Sequence, residues 1–298
     1  MLKGSIVALI TPFNKNGSVN YNKLVELIEF HVKSKTDGIV LLGTTAESST
    51  LTLDEKKEIV RIGIKTVNKR IPVIVGSGTN DTNESVMLSK EFSNMGADYL
   101  LVITPYYNKT NENGLIKHFN VIADSSSCPI ILYNVPSRTG MNISENVIKV
   151  VSKHKNIYGI KEASSDMSYA TKVSKYLSDE FIMLSGNDDI IVPMMSIGSL
   201  GVISVLANVA PTQTHNICKL CLERKYDEAR IIAIKLLDFT NALFIETNPI
   251  PIKEAMNELG FSVGGYRLPL DFLSPNNKQV LIDNMIKAKG EIFWWKYV

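Results

Sequence analysis

One pattern recurs over the first two thirds of the chain: a short run rich in Val, Ile and Leu, a turn, and a longer amphipathic stretch. Continuous apolar runs are typical of strands that are covered on both faces, as in parallel sheets. Eight such runs occupy residues 5–10, 38–42, 73–76, 99–104, 130–133, 158–161, 182–185 and 201–204. Alternating strands and helices predict right-handed parallel units, and eight of them favour a closed (β/α)₈ barrel over an open doubly wound sheet.

The amphipathic stretches between these runs predict helices. The clearest covers residues 51–67, where Thr52 and Glu55 have the spacing of a capping box. After residue 208 the strand pattern stops, and residues 211–224, 226–245, 251–259 and 276–289 show helical periodicity. We therefore expect an α/β protein with two parts, a catalytic barrel over residues 1–223 and a C-terminal helical extension over residues 224–298. The aromatic tail at 292–298 is predicted to pack on the body or on another subunit.

Charge and composition exclude several classes of protein. Lys and Arg total 32 and Asp and Glu total 30, so the net charge of +2 gives no support to a nucleic-acid binder. No apolar run approaches the roughly 20 residues that span a bilayer, so no membrane partner is expected. Three cysteines cannot form a disulfide scaffold, which favours a reducing, cytoplasmic location. The four histidines show no metal-ligand spacing, so no metal is predicted.

The chemistry of a (β/α)₈ barrel lies at the carboxyl ends of its strands. Lys161 closes the sixth apolar run, and Tyr133 closes the fifth. A buried amine is costly to keep charged, and the neutral amine can attack a ketone to form an imine, which then acts as an electron sink. A neighbouring phenol can transfer protons to that imine. The alternatives are a lysine that extends into solvent or pairs with an acid, and a tyrosine of the core.

Two further segments supply groups that bind carboxylates. Thr44 and Thr45 follow Gly43 at the end of the second run, where hydroxyls and backbone amides can hold a small carboxylate. Arg138 lies in a loop rich in Pro and Gly, and its forked guanidinium suits a substrate carboxylate. The alternatives are a helix-capping turn for the threonines and a surface ion pair for the arginine.

Five motifs, GTTAES, TPYYNK, YNVPSRTG, GIKEAS and LSGND, occur in this order and together closely resemble the dihydrodipicolinate synthase family. That family belongs to the pyruvate-dependent, class I aldolase-like superfamily that includes N-acetylneuraminate lyase. The resemblance covers nearly the whole chain. It implies a carbon–carbon lyase that condenses pyruvate with L-aspartate 4-semialdehyde to give 4-hydroxy-tetrahydrodipicolinate, on the route to diaminopimelate and lysine. It also implies no cofactor beyond a covalent Schiff base.

The resemblance implies roles for individual residues. Lys161 matches the Schiff-base lysine, and Arg138 matches the residue that binds the carboxylate of the semialdehyde. The matches to the proton relay are Tyr133, Thr44 and Tyr107, and those to the pyruvate pocket are Thr45, Gly186 and Ile203. In the family the residue matching Tyr107 reaches into a neighbouring subunit's site, which implies a homo-oligomer, expected here as a tetramer built from two dimers. Ala46 and Asn187 depart from the Gly and Asp that relatives often carry.

Regulated relatives bind lysine in a pocket at the dimer interface. The matching positions are Ser48, Ser49, Leu53, Lys56, Asn80, Glu84 and Tyr106. Regulated relatives often carry a histidine or another ring where this chain has Leu53 and Lys56. Leu53 cannot donate a hydrogen bond, and Lys56 brings a positive charge toward the ammonium groups of the ligand. We therefore expect weak or no feedback inhibition by lysine.

Two alternative functions remain at this point. One is a sister aldolase that cleaves a 2-keto-sugar acid, and the other is a non-catalytic barrel used as a sensor or scaffold. Arg138 and the pair Thr44 and Thr45 favour the synthase over the sister aldolase. The intact set of Lys161 and Tyr133 with these residues argues against a scaffold, whereas fold alone would not.

Overall fold

The computed structural model describes residues 1–292, so all of the predicted aromatic tail except Ile292 lies outside the described residues. Eight parallel strands form a closed barrel in which each strand pairs with the next and the last pairs with the first. The strands are β1 (Gly4–Ala8), β2 (Gly38–Leu41), β3 (Val73–Gly76), β4 (Tyr99–Ile103), β5 (Ile130–Asn134), β6 (Ile157–Glu162), β7 (Ile182–Ser185) and β8 (Gly201–Ser204). The prediction of a (β/α)₈ barrel is confirmed.

Helices surround the barrel and continue beyond it. They are α1 (Tyr21–Lys33), α2 (Leu53–Val67), α3 (Thr82–Asn94), α4 (Glu112–Ser125), α5 (Pro136–Thr139), α6 (Glu145–Val151), α7 (Met167–Val173), α8 (Ile191–Ser196), α9 (Pro211–Leu222), α10 (Tyr226–Ala242), α11 (Ile250–Glu258) and α12 (Pro275–Lys287). The capping box of α2 forms as predicted, because the Thr52 hydroxyl accepts from the Glu55 amide and Glu55 accepts from the Thr52 amide. No helix within residues 1–292 is long and apolar enough to cross a membrane.

The strands are apolar throughout because both of their faces are buried. Side chains such as Ile6, Val40 and Ile203 fill the barrel interior. Alternate residues such as Val7 and Ile39 point outward and pack in the layer between strands and helices. The run of apolar residues in each strand therefore reflects two cores, one inside the barrel and one around it.

The pairing of β5 with β6 positions the two residues singled out at their ends. The register of this pair shifts between Ile130 and Ile131, and beyond the shift Tyr133 lies opposite Lys161. One residue further on, the Asn134 amide donates a 2.7 Å hydrogen bond to the buried Glu162 carboxylate. A slip of one residue would turn Lys161 to the outer face of the sheet. The Asn134–Glu162 bond holds the register that keeps it facing inward.

The C-terminal helices pack on the barrel and on one another. Helix α9 packs against β1, α10 packs against α9, and α12 packs against α10. Between α10 and α11 the chain passes over the carboxyl ends of the strands, where Thr247 and Asn248 line the central cavity. The C-terminal helices thus bring residues to the mouth of the barrel that the strands alone do not supply.

Candidate active site

A cavity of about 660 Å³ opens at the carboxyl ends of the strands. Six residues singled out in the sequence line it, namely Thr44, Thr45, Tyr133, Arg138, Lys161 and Gly186. They come from the ends of β2, β5, β6 and β7 and from the short helix α5. The structure therefore brings together most of the predicted site in the place where barrels of this kind carry their chemistry.

Lys161 and Tyr133 form the centre of this cavity. The Lys161 ammonium nitrogen lies 4.2 Å from the centroid of the Tyr133 ring, and each residue is only 7% exposed. No carboxylate of residues 1–292 forms an ion pair with Lys161. The amine is therefore held by a ring face in a pocket open to a small ligand, which leaves its lone pair available for reaction once it is neutral.

A buried carboxyl group lies near the lysine without pairing with it. Asp188 accepts hydrogen bonds from the amides of Val205 (2.8 Å) and Leu206 (3.0 Å), just after β8. Burial raises the pKa of Asp188, while the positive charge of Lys161 acts in the opposite direction. One Asp188 oxygen is therefore bound to the backbone after β8, and the acid forms no ion pair with Lys161.

The turn after β2 presents the two threonines. Residues Thr44–Ala46 form one turn of 3₁₀-helix, and the Thr45 hydroxyl accepts a 2.9 Å hydrogen bond from the Asn248 side-chain amide. The backbone carbonyl of Asn248 in turn accepts a 2.8 Å hydrogen bond from the Arg138 guanidinium. Asn248 thus joins Thr45 and Arg138, the two residues suited to bind carboxylates. Ala46 lies within the 3₁₀ turn, and the left-handed backbone occurs at the next residue, Glu47 (φ 54°).

A buried ion pair fixes Glu47, the residue that follows this turn. Glu47 accepts a 2.8 Å bond from Lys253 of α11, and both side chains are almost fully buried. The second Glu47 oxygen accepts the amide of Arg267. A left-handed conformation is uncommon for a residue other than glycine, and these contacts hold it next to Thr44 and Thr45.

The remaining predicted pocket residues differ in position. Gly186 lies where an added side-chain carbon would come within 2.5 Å of the Ala163 Cβ, so the close approach of β6 and β7 requires glycine there. Ile203 is buried in the same interior cluster as Tyr133. Tyr107 does not line the cavity: it is 93% exposed and adopts a positive φ of 68°. Within residues 1–292 no group of His, Cys, Asp or Glu is placed to hold a metal ion.

The comparisons with known proteins agree with one another. A model of the dihydrodipicolinate synthetase family matches residues 1–289. A 4-hydroxy-tetrahydrodipicolinate synthase of Clostridium perfringens is 51% identical over 98% of this chain and 100% of its own. The crystal structure of dihydrodipicolinate synthase from Aquifex aeolicus superimposes with a TM-score of 0.94 at 43% identity, covering 97% of this chain and 99% of that one. The chain belongs to the dihydrodipicolinate synthetase family.

A further solved structure is that of the chloride-inhibited dihydrodipicolinate synthase from Acinetobacter baumannii complexed with pyruvate. It has a TM-score of 0.95 and 38% identity over 97% of this chain and 99% of that chain. The family resemblance inferred from the five motifs is thereby confirmed.

A second cavity of about 260 Å³ adjoins the first. Thr44, Tyr133 and Arg138 line both cavities. Four of the seven positions matching the family's lysine pocket also line the second cavity, namely Ser48, Ser49, Lys56 and Tyr106. Leu53, Asn80 and Glu84 do not line it. Burial raises the pKa of Tyr106, and the charge of Glu84 adds to that effect.

Three residues of the site were not singled out in the sequence. Asn248 bonds both Thr45 and Arg138, and Lys253 bonds Glu47, which follows the threonine turn. Asn248 lies about 90 residues beyond the lysine, in a stretch without a strand, so no strand-end argument points to it. Lys253 could have been suspected, because it interrupts the apolar face of a predicted helix.

Proposed function

We propose that Lys161 carries the covalent chemistry of a 4-hydroxy-tetrahydrodipicolinate synthase, which condenses pyruvate with L-aspartate 4-semialdehyde for diaminopimelate and lysine biosynthesis. Family membership and full-length relatives of this name support the reaction. The observation that carries the residue assignment is the buried, unpaired amine of Lys161, 4.2 Å from the Tyr133 ring centroid in a cavity with two carboxylate-binding groups. No separate cofactor is required, because the protonated imine itself withdraws electrons.

The first steps use Lys161 and Tyr133. The neutral amine attacks the pyruvate carbonyl carbon, and loss of one water gives the imine. Loss of a methyl proton then gives the enamine, whose carbon attacks the aldehyde carbon of the second substrate and forms the new carbon–carbon bond. The Tyr133 phenol, with Thr44 beside it in the cavity, is suited to move these protons. The amine of the second substrate then replaces Lys161 on the imine carbon, which closes the ring and frees the enzyme.

Two groups bind the two carboxylates. Thr45 suits the pyruvate carboxylate, since its hydroxyl is held by Asn248 next to the lysine's cavity. Arg138 suits the carboxylate of the semialdehyde, because its guanidinium is fixed at one end by the Asn248 carbonyl and lines the same cavity. We assign Gly186 and Ile203 to the wall of the pyruvate pocket. On this assignment the barrel over residues 1–223 is the catalytic part, completed by Asn248 of the extension.

Tyr107 belongs to the proposal through a second copy of the chain. Its exposed ring and positive φ are consistent with a side chain that leaves its own barrel, as the family resemblance implies. We propose a homotetramer formed from two dimers, in which Tyr107 completes the proton relay of the partner's site. The three buried, reduced cysteines support a cytoplasmic location.

Borohydride reduction in the presence of pyruvate tests the lysine assignment. We expect one adduct per chain, located at Lys161 by mass spectrometry, and no adduct at Lys253, which is buried but lies outside the cavity. An adduct at any other lysine would contradict the assignment. Turnover of L-aspartate 4-semialdehyde then separates the synthase from an aldolase for 2-keto-sugar acids.

Two variants test the remaining roles. Arg138→Ala should leave pyruvate trapping intact and lower kcat/KM for the semialdehyde by roughly 10- to 100-fold, the loss expected for one charged hydrogen-bond donor. Equal damage to both steps would make Arg138 a structural residue. Mixing inactive Tyr107→Phe and Lys161→Ala subunits should restore part of the activity, because some hybrid sites contain both residues. No recovery despite demonstrated subunit exchange would exclude a shared site.

A further inference from the structure

The carboxylate of Glu162, the residue that follows Lys161, is buried without a cationic partner. Glu162 is 2% exposed and forms no ion pair within residues 1–292. A buried charge is costly unless other groups pair with it or donate hydrogen bonds to it. The imine chemistry and the binding of both substrates leave this carboxylate unused. A buried acid next to the reactive lysine therefore points to a supporting role in the site.

Both oxygens of Glu162 accept hydrogen bonds at the ends of two neighbouring strands. One accepts a 2.7 Å bond from the side-chain amide of Asn134, the last residue of β5, and the other accepts a 2.6 Å bond from the backbone amide of Ser164. Burial raises the pKa of Glu162, while these bonds act in the opposite direction. Because both partners are donors, they match an ionised carboxylate, which only accepts.

The Asn134 side chain continues this network to the far end of the loop that carries Arg138. Its nitrogen also donates a 2.6 Å bond to the Asn142 side-chain oxygen, and its oxygen accepts a 3.0 Å bond from the Ile143 backbone amide. The Ile143 amide can only donate, so the Asn134 oxygen must face it and the nitrogen must face Glu162. The loop of residues 135–143 therefore begins and ends at the fully buried Asn134.

Arg138 lies in the middle of this loop, in a helix that is too short to be stable by itself. Helix α5 has four residues and ends at Gly140, which has a φ of 64°. A single helical turn is unfavourable in isolation, so its position depends on how the loop is anchored. The Ile143 carbonyl accepts a further bond from the Tyr169 hydroxyl, which leaves one anchor in place when Asn134 is lost.

We propose that Glu162 is a positioning residue for Arg138: through Asn134 it fixes the loop 135–143 and thereby directs the guanidinium into the substrate cavity. The inference rests on the proposed role of Arg138 in binding the semialdehyde. Glu162 itself does not line the cavity, since successive residues of a strand face opposite sides and Lys161 faces inward. Its effect is therefore on use of the semialdehyde and not on formation of the imine.

Glu162→Gln tests the proposal, because it keeps the shape of the side chain and turns one acceptor into a donor. The new amide nitrogen faces either Asn134 or the Ser164 amide, which are both donors, so one bond is lost. We expect KM for L-aspartate 4-semialdehyde to rise by roughly 5- to 10-fold, the effect of about one hydrogen bond. Turnover at saturation and borohydride trapping with pyruvate should each change less than about twofold.

Glu112→Gln is the matched control for this variant. Glu112 is an exposed carboxylate that bonds the Ser144 hydroxyl, one residue beyond the loop. The same substitution there should leave KM for the semialdehyde unchanged. An equal rise in both variants would contradict a specific role of Glu162.

A double variant reverses the direction of the central bond. With Asn134→Asp and Glu162→Gln together, the carboxylate lies on β5 and the amide on β6, and the Ile143 and Ser164 amides still meet oxygens. The exposed Asn142 side chain can turn its nitrogen toward β5. We expect the double variant to recover most of the KM lost in Glu162→Gln. No recovery in a folded double variant would overturn the proposal.

Hydrogen exchange measures the anchoring of the loop without any turnover. Peptides that cover residues 135–143 should exchange faster in Glu162→Gln and in Asn142→Ala, and at the wild-type rate in the double variant. Asn142 is exposed, so Asn142→Ala should fold even if Glu162→Gln does not, and its KM for the semialdehyde should rise about threefold. Asn146→Ala, at an exposed asparagine of α6, is its control. Wild-type exchange and KM in Asn142→Ala would overturn the proposal.

Arg138→Ala, measured alongside, separates this inference from the proposed function. If Arg138→Ala leaves use of the semialdehyde unchanged, the assignment of Arg138 is wrong, and the exchange rates alone decide the anchoring. If Arg138→Ala impairs use of the semialdehyde and Glu162→Gln does not, the positioning role of Glu162 is excluded. Equal losses of pyruvate trapping and of semialdehyde use in Glu162→Gln would mean that Glu162 supports Lys161 instead, which also overturns the proposal.

Discussion

Lys161 and Lys253 are both buried lysines, but only Lys253 forms an ion pair with a carboxylate. Lys253 is fully buried, pairs with Glu47 at 2.8 Å and lies 4.3 Å from the centroid of the Phe13 ring. Lys161 also faces an aromatic ring, but no ion pair neutralises it and a cavity lies in front of it. Burial lowers the pKa of Lys253, whereas Glu47 acts to raise it. Glu47 therefore neutralises the buried charge of Lys253, whereas the amine of Lys161 has no acidic partner and is free to react.

The comparison predicts that removing the Lys161 amine affects activity and not stability. Lys161→Met should abolish activity, with a loss of roughly 10⁴-fold or more, because no other group can form the imine. Its free energy of unfolding should be unchanged or higher, since an unpaired buried cation is replaced by an apolar chain of similar length. Initial rates and denaturant unfolding measure the two quantities. A large loss of stability would mean that Lys161 has a structural role after all.

The Glu47–Lys253 pair should behave in the reverse way. Glu47→Gln leaves Lys253 buried without a counter-charge, which should lower the free energy of unfolding by about 3–5 kcal/mol. Pairing Glu47→Gln with Lys253→Met should recover most of that loss, because the buried charge is removed with its partner. Denaturant unfolding of the single and double variants provides the measurement. If the double variant is as unstable as Glu47→Gln, the pair is not what stabilises this region.

The recovered double variant also tests whether the pair positions the threonine turn. Glu47 follows Thr44 and Thr45 directly and holds a left-handed conformation. We expect the double variant to fold but to show a raised KM for pyruvate, since the turn loses its anchor on α11. An unchanged KM would restrict the pair to stability.

The barrel and the lysine site follow from the sequence for a physical reason. Each strand of a closed parallel barrel is buried on both faces, so all eight appear as apolar runs, and the residue that ends a run must lie near the barrel mouth. Lys161 and Tyr133 could be found in this way. Asn248 and the Glu47–Lys253 pair could not, because they depend on how the C-terminal helices pack over the mouth. Their contacts span more than 100 residues, which no local pattern encodes.

A second ion pair, Glu55–Arg267, is more exposed than Glu47–Lys253 and predicts a pH effect. Arg267 bonds Glu55 at 2.7 Å and lowers the pKa of that carboxyl to about 2. Because the folded-state pKa lies below the unfolded value near 4.5, the pair stabilises the protein fully above that value and is lost as the pH falls toward 2. Between pH 5 and 2 the wild type should lose about 2 kcal/mol more than Glu55→Gln, after allowance for partial solvent screening. Equal losses would show that the pair contributes nothing.

Lys56 is a third kind of lysine: it lines the second cavity and forms no ion pair within residues 1–292. If L-lysine entered this cavity, its ammonium groups would meet a like charge, which at about 4 Å costs roughly 1 kcal/mol even in bulk water. That cost corresponds to about a fivefold loss of affinity. We therefore expect weak or no inhibition when initial rates are measured against added L-lysine, with calorimetry to detect binding that leaves the rate unchanged.

Lys56→His should strengthen inhibition, whereas the neighbouring Lys57→His, whose native lysine pairs with Glu91 at 3.1 Å, should not. Strong inhibition of the wild type would show that Lys56 turns away from the ligand and that its charge does not control this cavity.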